Sequence, residues 1–180
     1  MGFSATAQQA LALLKQGPVQ LVVDPDSTNK EIFVKDGIDL SFIEGQANVE
    51  TDLLGIYDVF TTGDGAELTI RTDELSADVL SVLFQGITAG TVGGSTYYPF
   101  GRAAGVSMRA NAKHIRLRPW QTRTLTTVQV DLWKCVPTGN LAVSLKKTSP
   151  FNVTQTFRAL PDVTKSDGNL IGRLYAPART

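Results

Sequence analysis

Cysteine and histidine are almost absent from this chain of 180 residues: Cys135 and His114 are each the single example of their type. One cysteine excludes an intrachain disulfide and a cluster of thiolate metal ligands. One histidine excludes a paired-histidine metal site within one chain and leaves a single imidazole for acid–base chemistry. The sequence therefore predicts no metal site and no cofactor.

The chain also lacks a net charge and a long hydrophobic run. Seventeen basic and seventeen acidic residues cancel, which removes the long-range attraction that dedicated nucleic-acid-binding proteins use. No segment reaches the roughly 20 apolar residues of a membrane-spanning helix, and no basic region precedes an apolar run at the N-terminus, as a secretory signal requires. We expect no membrane insertion and no tight binding to DNA.

Sequence signatures of catalysis are missing as well. There is no Gly-x-Ser-x-Gly segment to expose a nucleophile, and the acidic residues are scattered singly. The glycine-rich segment 90–95 lacks the lysine of a phosphate-binding loop. Asp24 and Asp26 resemble the start of a calcium loop, but Asn29 and Lys35 replace the required glycine and acid, so an ordinary turn is expected. The prediction is a protein that is not an enzyme.

The main positive feature of the sequence is the alternation of apolar and polar residues. It runs through residues 38–42 and 47–53, and it resumes at 66–70 after a strand at 56–60. Period two is the pattern of half-buried strands, and the Thr-Thr-Gly-Asp-Gly segment 61–65 is predicted to reverse the chain. The segment as a whole predicts a long β-hairpin.

Shorter strand signals flank this hairpin. They lie at 19–23, 114–118, 128–132, 141–145, 157–159 and 170–175. The Pro-Thr-Gly-Asn segment 137–140 is predicted to turn the chain between two of these runs. The pattern predicts a mainly β fold, either a β-sandwich or an incomplete barrel.

Two segments have helical spacing instead. Ser4 can cap a helix that runs to about Gln16 and ends at Gly17-Pro18, with an apolar stripe of Ala7, Ala10, Leu11 and Leu14. We predict that residues 1–18 form an N-terminal helical arm and that residues 19–180 form one β domain. The second helix packs on the sheet: Asp73 or Ser76 can cap it, Gly86 can end it, and its apolar residues are Leu75, Val79, Leu80, Leu83 and Phe84.

Residues 87–111 break every regular pattern because glycine recurs throughout the segment. A long loop without secondary structure is uncommon in a compact domain and is often an interaction element. Tyr97, Tyr98 and Phe100 supply contact area at a low entropy cost, so we predict that they anchor this loop on a neighbouring subunit. His114, Arg116 and Arg118 form a basic stripe on the next strand, which we predict to be solvated or to lie between subunits.

The order of these elements resembles the phage major tail-tube family. The likeness rests on the segment from Val59 to Leu83, in which a Gly-Asp-Gly turn, an alternating strand and an acidic helix start follow one another, and on the closing stretch from Phe157 to Gly172. The resemblance implies subunits that form rings, commonly sixfold, which stack into a tube that conducts double-stranded DNA. It implies a virion tail location, assembly in the host bacterial cytoplasm, and tape-measure, terminator and baseplate proteins as partners.

In such a tube the polar face of the hairpin would line the channel, where carboxylates repel phosphate and keep transient contacts with DNA weak. The residues predicted to face the lumen are Gln46, Asn48, Glu50, Asp52 and Glu67. Two alternatives stay open. One is a tail terminator, completion or baseplate ring protein of the same fold. The other is a β-sandwich capsid decoration or carbohydrate-binding module, with Trp120 and Trp133 as an aromatic platform.

Overall fold

A computed structural model describes residues 19–27, 29–34, 37–51, 55–74, 76–99, 105, 107–119, 129–146 and 149–175. The predicted arm 1–18 lies outside these residues. The strands are β1 (Val19–Val23), β2 (Lys30–Phe33), β3 (Ile38–Thr51), β4 (Gly55–Thr72), β5 (Gly90–Val92), β6 (Ser95–Tyr97), β7 (Lys113–Pro119), β8 (Gln129–Lys146), β9 (Ser149–Leu160) and β10 (Gly172–Tyr175). One α-helix, α1 (Ala77–Leu83), and one 3-10 turn, Arg109–Asn111, complete the described part.

Eight of the strands form one antiparallel sheet in the order β2-β1-β7-β8-β9-β4-β3, with β10 also paired to β8. The prediction of a mainly β fold with a flanking helix is confirmed. Strand residues alternate between the core and the opposite face, as period two requires. The core side chains include Leu21, Ile32, Leu68, Ile70, Val79, Leu83, Ile115, Leu132 and Phe157.

Helix α1 covers the core side of this sheet. Ser76 caps it, since its hydroxyl accepts a hydrogen bond from the Val79 backbone N–H at 3.3 Å. Val79, Val82 and Leu83 are buried, and Lys30 on β2 holds the exposed side through Asp78 at 3.0 Å and the Ser81 hydroxyl at 2.8 Å. The helix is shorter than predicted and ends at Leu83, ahead of Gly86.

The two predicted chain reversals at 61–65 and 137–140 are wrong. Strand β4 runs straight through Gly63, and the register with β3 only shifts there, between Gly45 and Gln46. Strand β8 likewise continues through Pro137, with a register shift against β9 between Thr138 and Ala142. Glycine accompanies a register shift at both points, because a bulge accepts the same unusual backbone conformations as a turn. Pro137 itself stays paired with Phe157.

Strands β9 and β10 pair one after the other with the same edge of β8. Strand β7 occupies the other side of β8, where Ile115 pairs with Leu132. Gly172 pairs with the same Leu132 from the opposite side, just beyond the last pair of β9, Lys134 with Leu160. The chain between the two strands leaves the sheet as a loop, residues 161–171, which is closed at its base by the Asp162 N–H and the Leu170 carbonyl at 2.7 Å.

Phe157 is the largest fully buried side chain of the core, so its removal tests the packing. We expect Phe157→Ala to lower the free energy of unfolding by about 3–5 kcal/mol, measured by chemical denaturation. Val163→Ala is the matched control, because Val163 is 74% exposed and should change stability by less than about 0.5 kcal/mol. Equal effects of the two changes would contradict this core.

Candidate assembly surfaces

The β3–β4 hairpin extends well past the sheet that supports it. Strand β4 pairs with β9 only from Ala66 to Thr72, whereas its pairing with β3 continues down to Gly55. Among the described residues, nothing pairs with the other side of β4 between Gly55 and Gly65. This free half is about 35 Å long at the usual rise per residue. A two-stranded ribbon is marginally stable alone, so the free half is a candidate surface for a partner.

The five residues predicted to face a lumen do not share one face. Glu67 pairs with Ser41, on the face opposite to the core residue Leu68. Gln46 and Asn48 are exposed and share the parity of Leu40 on β3, hence its face. Glu50 lies on β3 beyond a second register shift, and Asp52 lies outside the described residues. The hairpin therefore presents polar side chains on both faces, and the lumen assignment stays a prediction.

The face that carries Glu67 is a continuous polar surface across β3, β4 and β9. Thr69 and Thr156 are paired across strands, with their hydroxyl oxygens 3.0 Å apart. Arg71 donates to Asp39 at 3.0 Å, and Arg158 is the register partner of Glu67. Acidic and basic side chains alternate here, so this face has little net charge of its own.

The neutral total charge hides a strong segregation along the chain. Segment 79–130 has six basic residues and no acidic one. The hairpin segment 38–70 is the reverse: it has no Lys or Arg and seven acidic residues, which are Asp39, Glu44, Glu50, Asp52, Asp58, Asp64 and Glu67. The extended hairpin is thus the acidic part of the molecule.

Two of these carboxylates oppose one another directly. Glu44 on β3 is the register partner of Asp64 on β4, and both side chains are exposed. Side chains of such pairs lie about 4.5–5.5 Å apart at Cβ, where like charges are destabilising. No ion pair within the described part of the chain neutralises either carboxylate.

A cleft separates the hairpin from β10. We name it the hairpin cleft; its volume is about 420 Å³, and its lining combines apolar side chains with glycines, the Glu44–Asp64 pair and Arg173. The Arg173 Nε donates to the Asn169 side-chain oxygen at 3.0 Å, and its guanidinium lies over the Trp133 ring. Phe42 is 60% exposed, Leu174 67% and Ile43 39%. The glycines at the cleft are Gly63, Gly65, Gly168 and Gly172. Backbone edges that lack a paired strand within the described residues border it on both sides.

The predicted loop 87–111 contains a small hairpin, β5 paired with β6, that the sequence did not reveal. Tyr97 stands over Gly90, its cross-strand partner, where any side chain at position 90 would collide with the ring. Tyr97 is 48% exposed. Tyr98 instead stacks on Phe84 at 5.8 Å, and its hydroxyl donates to the Ala77 carbonyl at 3.1 Å. Tyr98 therefore fixes the hairpin on α1, and Phe100 lies outside the described residues.

The predicted basic stripe on β7 is neutralised within the chain. Arg116 donates to Asp131 at 2.6 Å. Arg118 donates to the uncharged Gln20 at 2.8 Å and lies 3.8 Å from the Glu31 carboxylate. His114 lies between two carboxylates, 3.1 Å from Asp26 and 3.3 Å from Asp131. These pairings leave little free positive charge for a neighbouring subunit, and the inter-subunit role stays a prediction.

Asp131 is the centre of this network and is 1% exposed. Burial alone would raise the pKa of its carboxyl, but hydrogen bonds from His114 and Arg116 outweigh the burial, so the pKa lies below its ordinary value. Gln129 also donates to it at 3.2 Å. Sequence periodicity could not single out Asp131, because its alternation with Val130 and Leu132 predicts an exposed strand residue.

Trp133 closes the network toward the 161–171 loop. Its indole N–H donates to the Asn169 carbonyl at 2.8 Å, and its ring lies 5.0 Å from the ring of His114. The Lys165 ammonium is 4.6 Å and the Arg173 guanidinium 5.7 Å from the ring centroid, so cations occupy the space over the indole. Trp120, its predicted partner in a sugar platform, lies outside the described residues.

Cys135 and Asp24, the residues nearest to a nucleophile and a calcium ligand in the sequence, lie in structural environments. Burial raises the pKa of the Cys135 thiol to about 12, so it carries no thiolate at neutral pH. Asp24 accepts a hydrogen bond from Lys113 at 2.7 Å and sits in a turn closed by the Ser27 N–H at 3.0 Å. Across the described ranges no three His, Cys, Asp or Glu side chains come together as metal ligands. Nor is any described helix long and apolar enough to span a membrane.

Solved structures share this fold. No family model matches the sequence, and no curated protein matches it. The chain is similar to the sheath/tube terminator of an extracellular contractile injection system (PVC), with a TM-score of 0.52 and 11% identity over 79% of this chain and 89% of that chain. It is also similar to a chain of the PVC sheath–tube complex, with a TM-score of 0.50 and 13% identity over 87% and 88%. At such identities the likeness concerns the fold.

The Asp131 network makes stability depend on pH. A carboxyl whose pKa is lower in the folded than in the unfolded chain stabilises above its unfolded pKa, about 3.9, and this stabilisation is lost as pH falls through the folded pKa. We expect Asp131→Asn to lower the free energy of unfolding at pH 7 by about 1–3 kcal/mol and to flatten its pH dependence below about pH 4. Urea unfolding from pH 3 to pH 7 measures both.

Asp39→Asn is the control for that change, because Asp39 is 70% exposed in its pair with Arg71 and such pairs contribute about 0–1 kcal/mol. If the free energy of unfolding fell equally steeply with decreasing pH in Asp131→Asn and in the unaltered chain, Asp131 would not be the source of the pH dependence.

The Glu44–Asp64 pair predicts a stabilising substitution. Glu44→Gln removes the like-charge opposition, and we expect the free energy of unfolding of the monomer to rise by about 0.2–1 kcal/mol at low salt. The gain should shrink in 1 M salt, where screening is strong. Asp39→Asn again serves as the comparison, since it removes a carboxylate that has a basic partner. A loss of stability in Glu44→Gln would show that the carboxylate has a favourable partner.

Proposed function

We propose that this chain is a non-catalytic structural subunit that assembles with copies of itself into hexameric rings, which stack into the tube of a phage tail. Double-stranded DNA passes through the channel, and tape-measure, terminator and baseplate proteins contact the ends or the interior of the tube. Assembly takes place in the cytoplasm of a host bacterium, and the mature protein resides in the virion.

The observation that carries this proposal is the free half of the β3–β4 hairpin. Its two strands continue past Ala66 without a third strand among the described residues, and the outer edge of β3 is open along 14 residues. Long open edges are aggregation hazards unless a partner covers them. Closure of sheets across neighbouring copies removes such edges. The likeness to chains of a sheath–tube complex agrees with this use of the fold.

The acidic hairpin suits a channel for DNA. With seven carboxylates and no basic residue between Ile38 and Ile70, a ring of copies would present negative charge wherever the free half of the hairpin, away from Arg71 and Arg158, faces the lumen. Like charges repel phosphate at short range, and no basic surface is there to release counterions and hold the duplex. DNA would slide rather than bind.

A terminator ring is the second candidate function. The structure with a TM-score of 0.52 is a sheath/tube terminator, and a terminator needs the same ring contact without continued stacking. The two roles differ in the product of self-assembly, because a tube subunit forms long tubes and a terminator stops after one ring.

Negative-stain electron microscopy of the purified chain over a range of concentrations tests both roles. We expect hollow rings that stack into tubes as the concentration rises. Asn48→Lys adds a charge to the exposed part of the open strand β3 and should suppress assembly, because lysine on an edge strand blocks pairing. Val163→Lys, at a side chain that is 74% exposed in the 161–171 loop, should leave it intact. A chain that remains monomeric at every concentration would refute the proposal.

A further inference from the structure

The hairpin cleft has exposed apolar side chains and carboxylates without an ion pair among the described residues. Phe42 and Leu174 are more than half exposed at its walls, although both lie on strands of the central sheet. Glu44 and Asp64 face one another at the same cleft and form no ion pair among the described residues. Arg173 also lines the cleft, but its side chain is engaged by Asn169 and Trp133. An occupant that satisfied this surface would be apolar along most of its length and would carry one positive charge.

Residues 1–18 of this chain have that chemistry. Lys15 is their single charged side chain, and no acidic residue occurs before Asp24. If the segment is helical, as its capping and spacing predict, Leu11, Leu14 and Lys15 lie on one face, because residues three and four apart are neighbours on a helix. Leu11 and Leu14 match the apolar walls of the cleft, and the Lys15 ammonium matches the Glu44–Asp64 pair.

The arm is long enough to reach such a cleft. It joins β1 at Val19, the end of the sheet to which Pro119 and Tyr175 also belong, since Val19 pairs with Pro119 and Tyr175 with Gln129. A helix over residues 4–16 is about 20 Å long, whereas the three strand intervals from β1 to β10 cover about 14 Å. By sequence, Pro18 favours an extended conformation at Gly17, so we expect the arm to leave β1 along the direction of that strand.

We propose that the hairpin cleft is the docking site for residues 1–18 of a second copy of this chain. Leu11 and Leu14 pack against Phe42 and Leu174, and Lys15 lies between Glu44 and Asp64. Each copy then offers an arm on one side and a cleft on another, a heterologous contact that can repeat around a ring. The choice of a second copy rests on the proposed function, and the arm–cleft match rests on the residues themselves.

A charge exchange tests the contact. We expect Lys15→Glu to weaken self-association at least about tenfold in sedimentation experiments at low salt, because three carboxylates then meet. Glu44→Lys alone should bring Lys15 against a like charge and weaken it as well. The double variant, Lys15→Glu with Glu44→Lys, should recover to within about threefold of the unaltered chain. Glu31→Lys, at a side chain 41% exposed on β2, is the control for a charge reversal outside the cleft.

Disulfide trapping identifies the source of the arm. One preparation carries Leu14→Cys and another carries Leu174→Cys, and the two are mixed under mild oxidation. The native Cys135 does not compete, because it is buried with a pKa of about 12. We expect a covalent heterodimer on a non-reducing gel. Val163→Cys replaces Leu174→Cys in the control, and it should yield none because position 163 does not line the cleft.

The outcomes separate this inference from the proposed function. Rings in the microscope without a heterodimer would overturn the docking site and leave the ring subunit standing. A heterodimer without rings would support the docking site and refute the tube. A chain that carries both cysteines and forms only an intrachain disulfide would show that the arm covers its own cleft, which would overturn the second-copy assignment. Failure of the charge exchange to restore association would overturn the role of Lys15.

Discussion

The β3–β4 hairpin is the element on which the rest of this architecture depends. Its upper half is the last part of a large antiparallel sheet, held to β9 through the pairs from Ala66 to Thr72. Its lower half has the same backbone hydrogen-bonding capacity without a neighbour in the described residues. Backbone edges and exposed apolar side chains are costly to leave open to association. The cleft beside β10 and the proposed self-assembly both follow from this single mismatch of strand lengths.

The opposite part of the sheet is built for rigidity. Asp131 is buried beneath Arg116, His114 and Gln129, and Trp133 connects this network to the 161–171 loop. A buried charge is tolerated only when its hydrogen-bonding capacity is met. The network therefore fixes the relative positions of β7, β8 and the loop. These contacts support the part of the sheet from which the long hairpin extends.

Period-two patterning predicted most strands correctly because one face of the sheet is buried throughout. Leu68, Ile115 and Phe157 alternate with polar residues as the pattern requires. The same reasoning misplaced two turns, because the glycines at 63 and 139 suit a register shift as well as a turn. Whether the chain turns or continues is decided by strand pairing, of β4 with β3 and of β8 with β9. Asp131 was missed for a related reason: Arg116 and His114, which cover it, lie on another strand, and alternation does not report hydrogen bonds across strands.

The sheet also ends differently on its two sides. Strand β2 has four residues, and Lys30 ties it to helix α1, whereas β3 has 14 residues and an outer edge that no other described strand covers. A polymer built from such subunits is directional. Its two ends expose different surfaces. Elongation at one end and capping at the other can therefore be carried out by separate proteins, and the assembly has a defined polarity.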